Sequence, residues 1–284
     1  MDFSSIIGVI VGVAVIIWGI ILGGPIMNFW DPPSIVIVLG GTIAAIVASF
    51  PFSILKDIPH HMVLLVQKKK YDHDQCIETL VEFATEARKN GLLALEQKSE
   101  EITDVFFKNA LMLIVDAHEP AEVKERLNNE LDFVCERHES GISVYEKGSA
   151  IAPAFGMIGT LIGLVNLLKG LDLSKGADDS LGVSMSVALI TTFYGCILAH
   201  LIFAPIAKKL AIRNNEEYLY KQLIIEGVLS IQRGDNPKFL REKLLCYLGE
   251  KKRDSAPAGE EGEGGKKGKK AKPAKPAKGK KGKE

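Results

Sequence analysis

Residues 148–168 read GSAIAPAFGMIGTLIGLVNLL, 21 positions without a charge, closed by Lys147 on one side and Lys169 on the other. A hydrocarbon core about 30 Å thick takes roughly 20 helical residues, so this stretch is long enough to span it. Three further runs match: residues 3–30 and 180–207 each hold 28 uncharged positions, and residues 32–55 hold 24. Four crossings are expected, and no segment alternates with period two, so the expected fold class is an all-α membrane protein with four transmembrane helices. The first run lacks the basic n-region and A-x-A site of a cleaved signal peptide.

Basic residues set the expected orientation. Lys56 and Lys68 to Lys70 follow the second run, Lys147 precedes the third, and Lys208, Lys209 and Arg213 follow the fourth. The short connections lack that bias: one carries only Asp31, and Asp172 to Ser180 holds three Asp against Lys175. The positive-inside rule then puts the long middle segment and both termini in the cytoplasm.

The formal net charge of zero over 284 residues hides a division. Residues 56–147 carry 12 basic and 19 acidic side chains, net −7, whereas residues 251–284 carry 13 basic and 5 acidic, net +8. The acidic part is patterned like folded helices; the tail, largely Lys, Ala, Pro and Gly, is expected to be disordered. A basic tail beside a membrane suits anionic lipid or plain solubility, and nucleic acid is not an expected partner. The expected organisation is a transmembrane hairpin (1–55), a cytoplasmic helical domain (56–147), two further spans (148–207), cytoplasmic helices (208–250) and the tail (251–284). Cys76, Cys135, Cys196 and Cys246 form no C-x-x-C pair and read as reduced thiols. His60, His61 and His73 lack the spacing of metal ligands, so no metal is expected.

Between the runs, Pro51 and Pro59 are expected to break the helix, and Asp72 or Asp74 to cap the next one, along which Ile77, Leu80, Val81 and Ala84 follow at helical spacing. Asn90-Gly91 supplies a stop in the left-handed region, leaving Arg88 and Glu96 to flank one helix-turn-helix tip. Ile102, Val105, Phe106, Ala110 and Leu113 form the next apolar stripe. From Glu119-Pro120 one long helix is expected to run into the third span, with Val123, Leu127, Leu131, Val134 and Ile142 on one side. The fourth span is expected to continue towards Arg233, with a last helix ending near Gly249.

The chemistry of the third and fourth spans lies in small and hydroxyl residues. Gly156, Gly159 and Gly163 suit close helix packing. At 1.5 Å per residue Thr160 lies about 18 Å from the inner end of its span and Thr192 about 22 Å, so their hydroxyls fall at matched depth. Each either bonds its own backbone or lines a pore. Pro153 and Pro205 free carbonyls near the inner ends of the two spans, as static kinks or as a flexing gate. His200 sits about 10 Å inside the inner boundary, as a relay or as an interfacial side chain. No Asp or Glu interrupts any run. A cation-driven machine built on this chain must take its carboxylate from a partner span.

Residues 86–96 (EARKNGLLALE), 152–164, 190–210 and 226–248 carry a resemblance to the flagellar motor stator protein MotA family, including the sodium-type members PomA and MotP. It covers nearly everything from Ile6 to Leu248; the Lys-rich tail has no counterpart. ExbB and TolQ are looser relatives with three spans. The resemblance implies a stator subunit in the bacterial inner membrane, five copies around two copies of MotB, whose single span brings the carrying aspartate. Cation flow then drives the rotor protein FliG. It further implies that Arg88 and Glu96 contact the rotor, that Pro153 and Pro205 couple ion flow to motion, and that Thr192 lies beside the ion path. Thr160 resembles the sodium-type members, and a second hydroxyl suits a hard cation, so sodium is favoured while proton stays open. No cofactor is implied. The alternatives are an ExbB/TolQ-like energy transducer and a non-conducting membrane scaffold. An enzyme is not expected, since HExxH, GxSxG and paired intramembrane aspartates are all missing.

Overall fold

A computed structural model of the chain describes residues 3–66, 71–170 and 180–248. The expectations for Lys68 to Lys70, for the connection from Asp172 and for the tail at 251–284 lie outside the described residues. Two compact units divide the chain, Met1–Tyr247 and Leu248–Glu284, and only Leu248 of the second is described. Among the described residues all regular structure is helical.

Helix α1 (Phe3–Gly23) has 21 uncharged residues and touches the fourth run through Gly12, where an added Cβ would lie 3.4 Å from Leu201. Helix α2 (Pro32–Ser49) starts where Asp31 accepts the Ser34 amide at 2.9 Å, with Pro32 and Pro33 in the first turn, where a missing N–H costs nothing. It widens into a π-helical stretch at Val36–Gly40 and stops at Phe50, before Pro51.

Two short helices follow, α3 (Phe52–Leu55) and α4 (Ile58–Val66). Pro59 does not break the helix; it sits in the first turn of α4, where its ring is tolerated. Ile54, Leu55, Ile58 and Leu65 pack against Ile142, Tyr145 and Leu210.

Next come α5 (His73–Asn90), capped by Asp72 on the Gln75 amide at 3.2 Å, then α6 (Leu95–Ser99), α7 (Val105–Val115), and α8 (Pro120–Gly170), a single helix of 51 residues. Helix α9 is built from Ser180–Ile197, a π-helical stretch Leu198–Phe203 and Ala204–Gln232. A turn with Gly234 at φ 74° leads into α10 (Pro237–Leu245), which Asn236 caps. That last helix ends four residues short of Gly249. The proposed boundaries at 147/148 and 207/208 fall inside α8 and α9.

Three helices, Pro32–Ser49, Pro120–Lys169 and Gly182–Gln232, are long and apolar enough to cross a membrane; Ile7–Gly23 is a shorter apolar helix. The chain is an all-α membrane protein. Beyond the apolar stretches, α5, α7, α8 and α10 pack around the lower part of α9. Leu80, Leu111, Ile114, Leu127, Leu131, Leu223, Ile224, Leu240 and Leu244 are fully buried there, each stabilising by about 1.5–3 kcal/mol. Gly227 admits Leu80: a Cβ at 227 would meet its side chain at 2.5 Å.

The buried face of α7 differs from the expected stripe. Asp104 accepts the Phe106 and Phe107 amides at 2.9 and 3.2 Å and fixes the first turn, so Phe106, Phe107, Ala110, Leu111 and Ile114 turn inward. Val105 is left 72% exposed, and Ile102 precedes the helix.

At the base of α5, Tyr71 donates to Glu217 and Tyr220 to the Cys76 thiol, tying this helix to the continuation of the fourth run. Burial pushes the Cys76 thiol up to about 12, so it stays protonated. Glu217 sits below the usual carboxylate range: burial acts the other way, but Lys221 at 2.8 Å and Tyr71 outweigh it.

Helix α4 is held by His61, whose ring lies against Gly141, where a Cβ would meet it at 2.6 Å. The Tyr145 hydroxyl, its pKa raised by burial to about 12, lies 3.4 Å from His61 Nδ1, which accepts from it while the imidazole is neutral. Burial holds His61 below its ordinary 6.5; Asp57 opposes this, and His60 and His138 reinforce it. The unfolded chain therefore binds this proton more readily: the stability the contact adds is complete above 6.5 and is lost below it, as pH falls through the lowered folded value. Hydrogen exchange in residues 58–66, corrected for intrinsic rate, is expected to accelerate between about pH 7.5 and about pH 5.5, and to lose that acceleration in His61→Phe.

Candidate functional site

The third and fourth apolar runs, the upper parts of α8 and α9, meet through residues with almost no side chain. A Cβ on Gly156 would lie 3.1 Å from the Thr191 carbonyl, one on Gly163 2.7 Å from the Ser184 carbonyl, and one on Gly195 2.8 Å from the Ala152 carbonyl. Gly159 is filled by the Thr191 side chain, at 2.4–2.7 Å from such a Cβ. Thr191 is fully buried and satisfies its hydroxyl on the Val187 and Ala188 carbonyls, both at 3.0 Å. Small residues bring backbones close, and apolar membranes reward that through packing. The glycines thus serve helix packing.

This approach brings Thr160 and Thr192 together, with their hydroxyl oxygens 2.6 Å apart. Thr160 Oγ1 also reaches the Gly156 carbonyl at 3.1 Å and the Ala188 carbonyl at 3.0 Å, and Thr192 Oγ1 reaches the Ala188 carbonyl at 3.3 Å. Each hydroxyl has one hydrogen and two lone pairs. When both hydrogens point at carbonyls, two neutral oxygens offer lone pairs to one spot; otherwise one hydroxyl donates to the other. The pair can therefore receive a hydrated cation or pass a hydrogen bond, but brings no charge. Thr160 is half-buried and Thr192 exposed.

The two prolines lie below this pair. Pro153 has no N–H for the Ser149 carbonyl, four residues back in α8. The Ser149 hydroxyl crosses to the Ala199 carbonyl at 3.2 Å. Ala199 also accepts the Ala204 amide, five residues on, in the π-helical stretch just before Pro205. Pro153 packs against Gly195, and Pro205 follows the π stretch, so the Pro153–Gly195 contact and the Ser149 hydroxyl bridge join the two helices at this level. Phe155 fits over Gly41 of α2 and Phe203 over Gly148, each where a Cβ would overlap the ring.

Arg88 and Glu96 are both exposed, on either side of Gly91. Gly91 has φ 83° and ψ 169°, so the stop uses positive φ with an extended ψ, outside the left-handed helical well. Among the described residues neither Arg88 nor Glu96 is in a salt bridge. Lys98 instead ties α6 back to α5, at 2.8 Å from Glu82 and 3.6 Å from Glu86, and so fixes the turn that presents the two charges.

Sequence reasoning missed Ser149 and gave Thr191 no role. The first had a signal, a hydroxyl four residues before a membrane proline; the second stood beside Thr192, and only the helix rotation assigns one to packing and the other to the open face. Among the described residues no group of three or more His, Cys, Asp or Glu could hold a metal ion.

Small-residue packing, a membrane hydroxyl pair and an exposed charged tip define a helical membrane subunit of the ion-channel class. The model of the MotA/TolQ/ExbB proton channel family matches residues 98–222, and that of the motility protein A N-terminal region matches residues 6–91. Motility protein A of Borreliella burgdorferi is 42% identical over 263 residues, covering 89% of this chain and 96% of the relative. Chemotaxis protein PomA of Vibrio alginolyticus is 39% identical, covering 89% and 98%. The flagellar MotAB stator complex from Bacillus subtilis superposes with a TM-score of 0.79 at 32% identity, over 90% of this chain and 98% of that one. The C. jejuni MotAB structure gives 0.79 at 28%, over 88% and 97%. The chain belongs to the motility protein A family, within the MotA/TolQ/ExbB proton channel group.

The packing sets a clear expectation. Gly195→Ala drives a methyl group against the Ala152 backbone and is expected to lower the melting temperature of the purified protein by several degrees, consistent with about 1–3 kcal/mol of overpacking. Gly182→Ala, with nothing within 4 Å, is expected to leave it unchanged or raise it.

Proposed function

We propose that this chain is the stator subunit of a bacterial flagellar motor. With a MotB-type subunit it forms an ion-conducting complex in the inner membrane that couples inward cation flow to torque on the rotor. The observation that carries this is a mid-membrane pair of hydroxyls, 2.6 Å apart, in spans without any carboxylate. Two neutral oxygens strip part of a cation's water but cannot balance its charge, so the charge must come from an Asp on the partner's span. Membership of the motility protein A family and the MotAB likenesses support the same partner.

In this reading α1 is a fourth span and both termini are cytoplasmic, which puts the Arg88/Glu96 tip in the cytoplasm opposite the rotor protein FliG. Opposite charges there register a partner while adding little to stability. Five copies surround two MotB-type subunits. Thr160 and Thr192 line the cation path. Pro153 and Pro205, joined by the Ser149 bridge, pass a change at the acid to α8 and α9, and no catalytic step is involved. The paired hydroxyls favour sodium over proton, since a proton needs only one acceptor while sodium gains from each added oxygen. The N-terminal match over residues 6–91 favours the stator over an ExbB/TolQ-like transducer.

Pro153→Leu is expected to abolish swimming while the partner still copurifies. Ordinary swimming would falsify the coupling role, and a scaffold predicts just that. Swimming speed of wild-type cells is expected to fall when sodium is replaced by potassium at fixed pH and to survive a protonophore; the reverse pattern assigns the proton instead.

A further inference from the structure

The fourth span carries polar side chains that the hydroxyl pair leaves unexplained. Thr192, Cys196 and His200 recur every four residues on one helix face, and all three are exposed. At 1.5 Å per residue Cys196 lies about 6 Å and His200 about 12 Å below Thr192, towards the inner end. The elements packed against this part of α9 are α1, α2 and α8. None carries a titratable side chain over residues 7–23, 32–49 or 148–168. Among the described residues nothing hydrogen-bonds the imidazole.

An imidazole at this depth facing hydrocarbon forfeits every hydrogen bond it could make, so intramembrane histidines face protein or water. The backbone beside it is altered too. His200 lies within the π-helical stretch, and Pro205 cannot supply the N–H that the Leu201 carbonyl takes in an α-helix. An imidazole and a carbonyl short of its usual donor thus stand one residue apart, on the side of the membrane towards which a cation leaving the Thr160–Thr192 pair must move.

Resting on the stator reading above, we propose that His200 lines the inner half of the cation path. Its neutral ring accepts a hydrogen bond from the water that rehydrates the cation between mid-membrane and the cytoplasm. A fixed positive charge at this point opposes each cation that passes. The row Thr192, Cys196, His200 then marks the face of the fourth span that lines the route, and α1 faces lipid.

The test uses the chain co-produced with its MotB-type partner, in inside-out membrane vesicles and in swimming cells. A hydrophilic cationic methanethiosulfonate reagent is expected to label His200→Cys about tenfold faster than Ile10→Cys, which lies at the same depth on an exposed face of α1. Peptide mass spectrometry reads both rates. In the unmutated complex the same reagent is expected to label Cys196 and spare buried Cys76, a readout that needs no substitution. His200→Lys is expected to cut swimming speed about tenfold with the partner still copurifying. Equal labelling at positions 200 and 10, an unreactive Cys196, or wild-type speed in His200→Lys, in a complex that otherwise drives swimming, overturns the inference and leaves the stator reading standing. A wild-type complex that drives no swimming overturns the stator reading, and this inference with it.

Discussion

Backbone-to-backbone approach between α8 and α9 governs the geometry of the whole membrane part. Gly156, Gly163 and Gly195 let carbonyls sit where a methyl group would otherwise be, and Thr191 fills the one notch left at Gly159. Such packing gains from dispersion rather than from water release, because hydrocarbon surrounds both helices. It also fixes helix rotation. With Thr191 locked into Gly159, the next residue must point elsewhere, and that residue is Thr192. The hydroxyl pair is thus a by-product of the packing register, and its separation depends on glycines that touch no ion.

Much of this was legible in the residues. Uncharged run lengths gave the apolar helices, and helical rise alone put Thr160 and Thr192 at one depth. Asp72, Gly91 and Pro120 marked helix ends because capping chemistry is local. The errors arose where local signals competed. The stripe on α7 was offset because Asp104, not Ile102, starts the helix, and one residue of phase turns Val105 outward. Pro59 reads as a breaker until the helix is seen to begin at Ile58. The Ser149 to Ala199 bond joins residues 50 apart, and the π-helical stretch depends on how Pro205 meets its neighbours; neither has a periodic signature.

The polar half of the molecule is joined to this pair without a hinge loop. Tyr71, Cys76, Glu217 and Tyr220 knit the base of α5 to the continuation of the fourth run, and Lys98 fixes the turn after Gly91. Most of these bonds are made by side chains on α9 or on the helix that carries Arg88, so a shift in one is felt by the other.

The unbroken length of α8 has a mechanical consequence. From Pro120 to Pro153 its 33 intervals give a rod of about 50 Å, stiff because each amide is tied one turn back. A tilt of about 5° pivoting at Pro153 carries the far end through roughly 4 Å, about four-fifths of one helical turn's rise. A displacement of atomic size beside the hydroxyls thus becomes a stride comparable to the spacing of side chains along a helix, and gearing of that kind needs no moving part other than the rod itself.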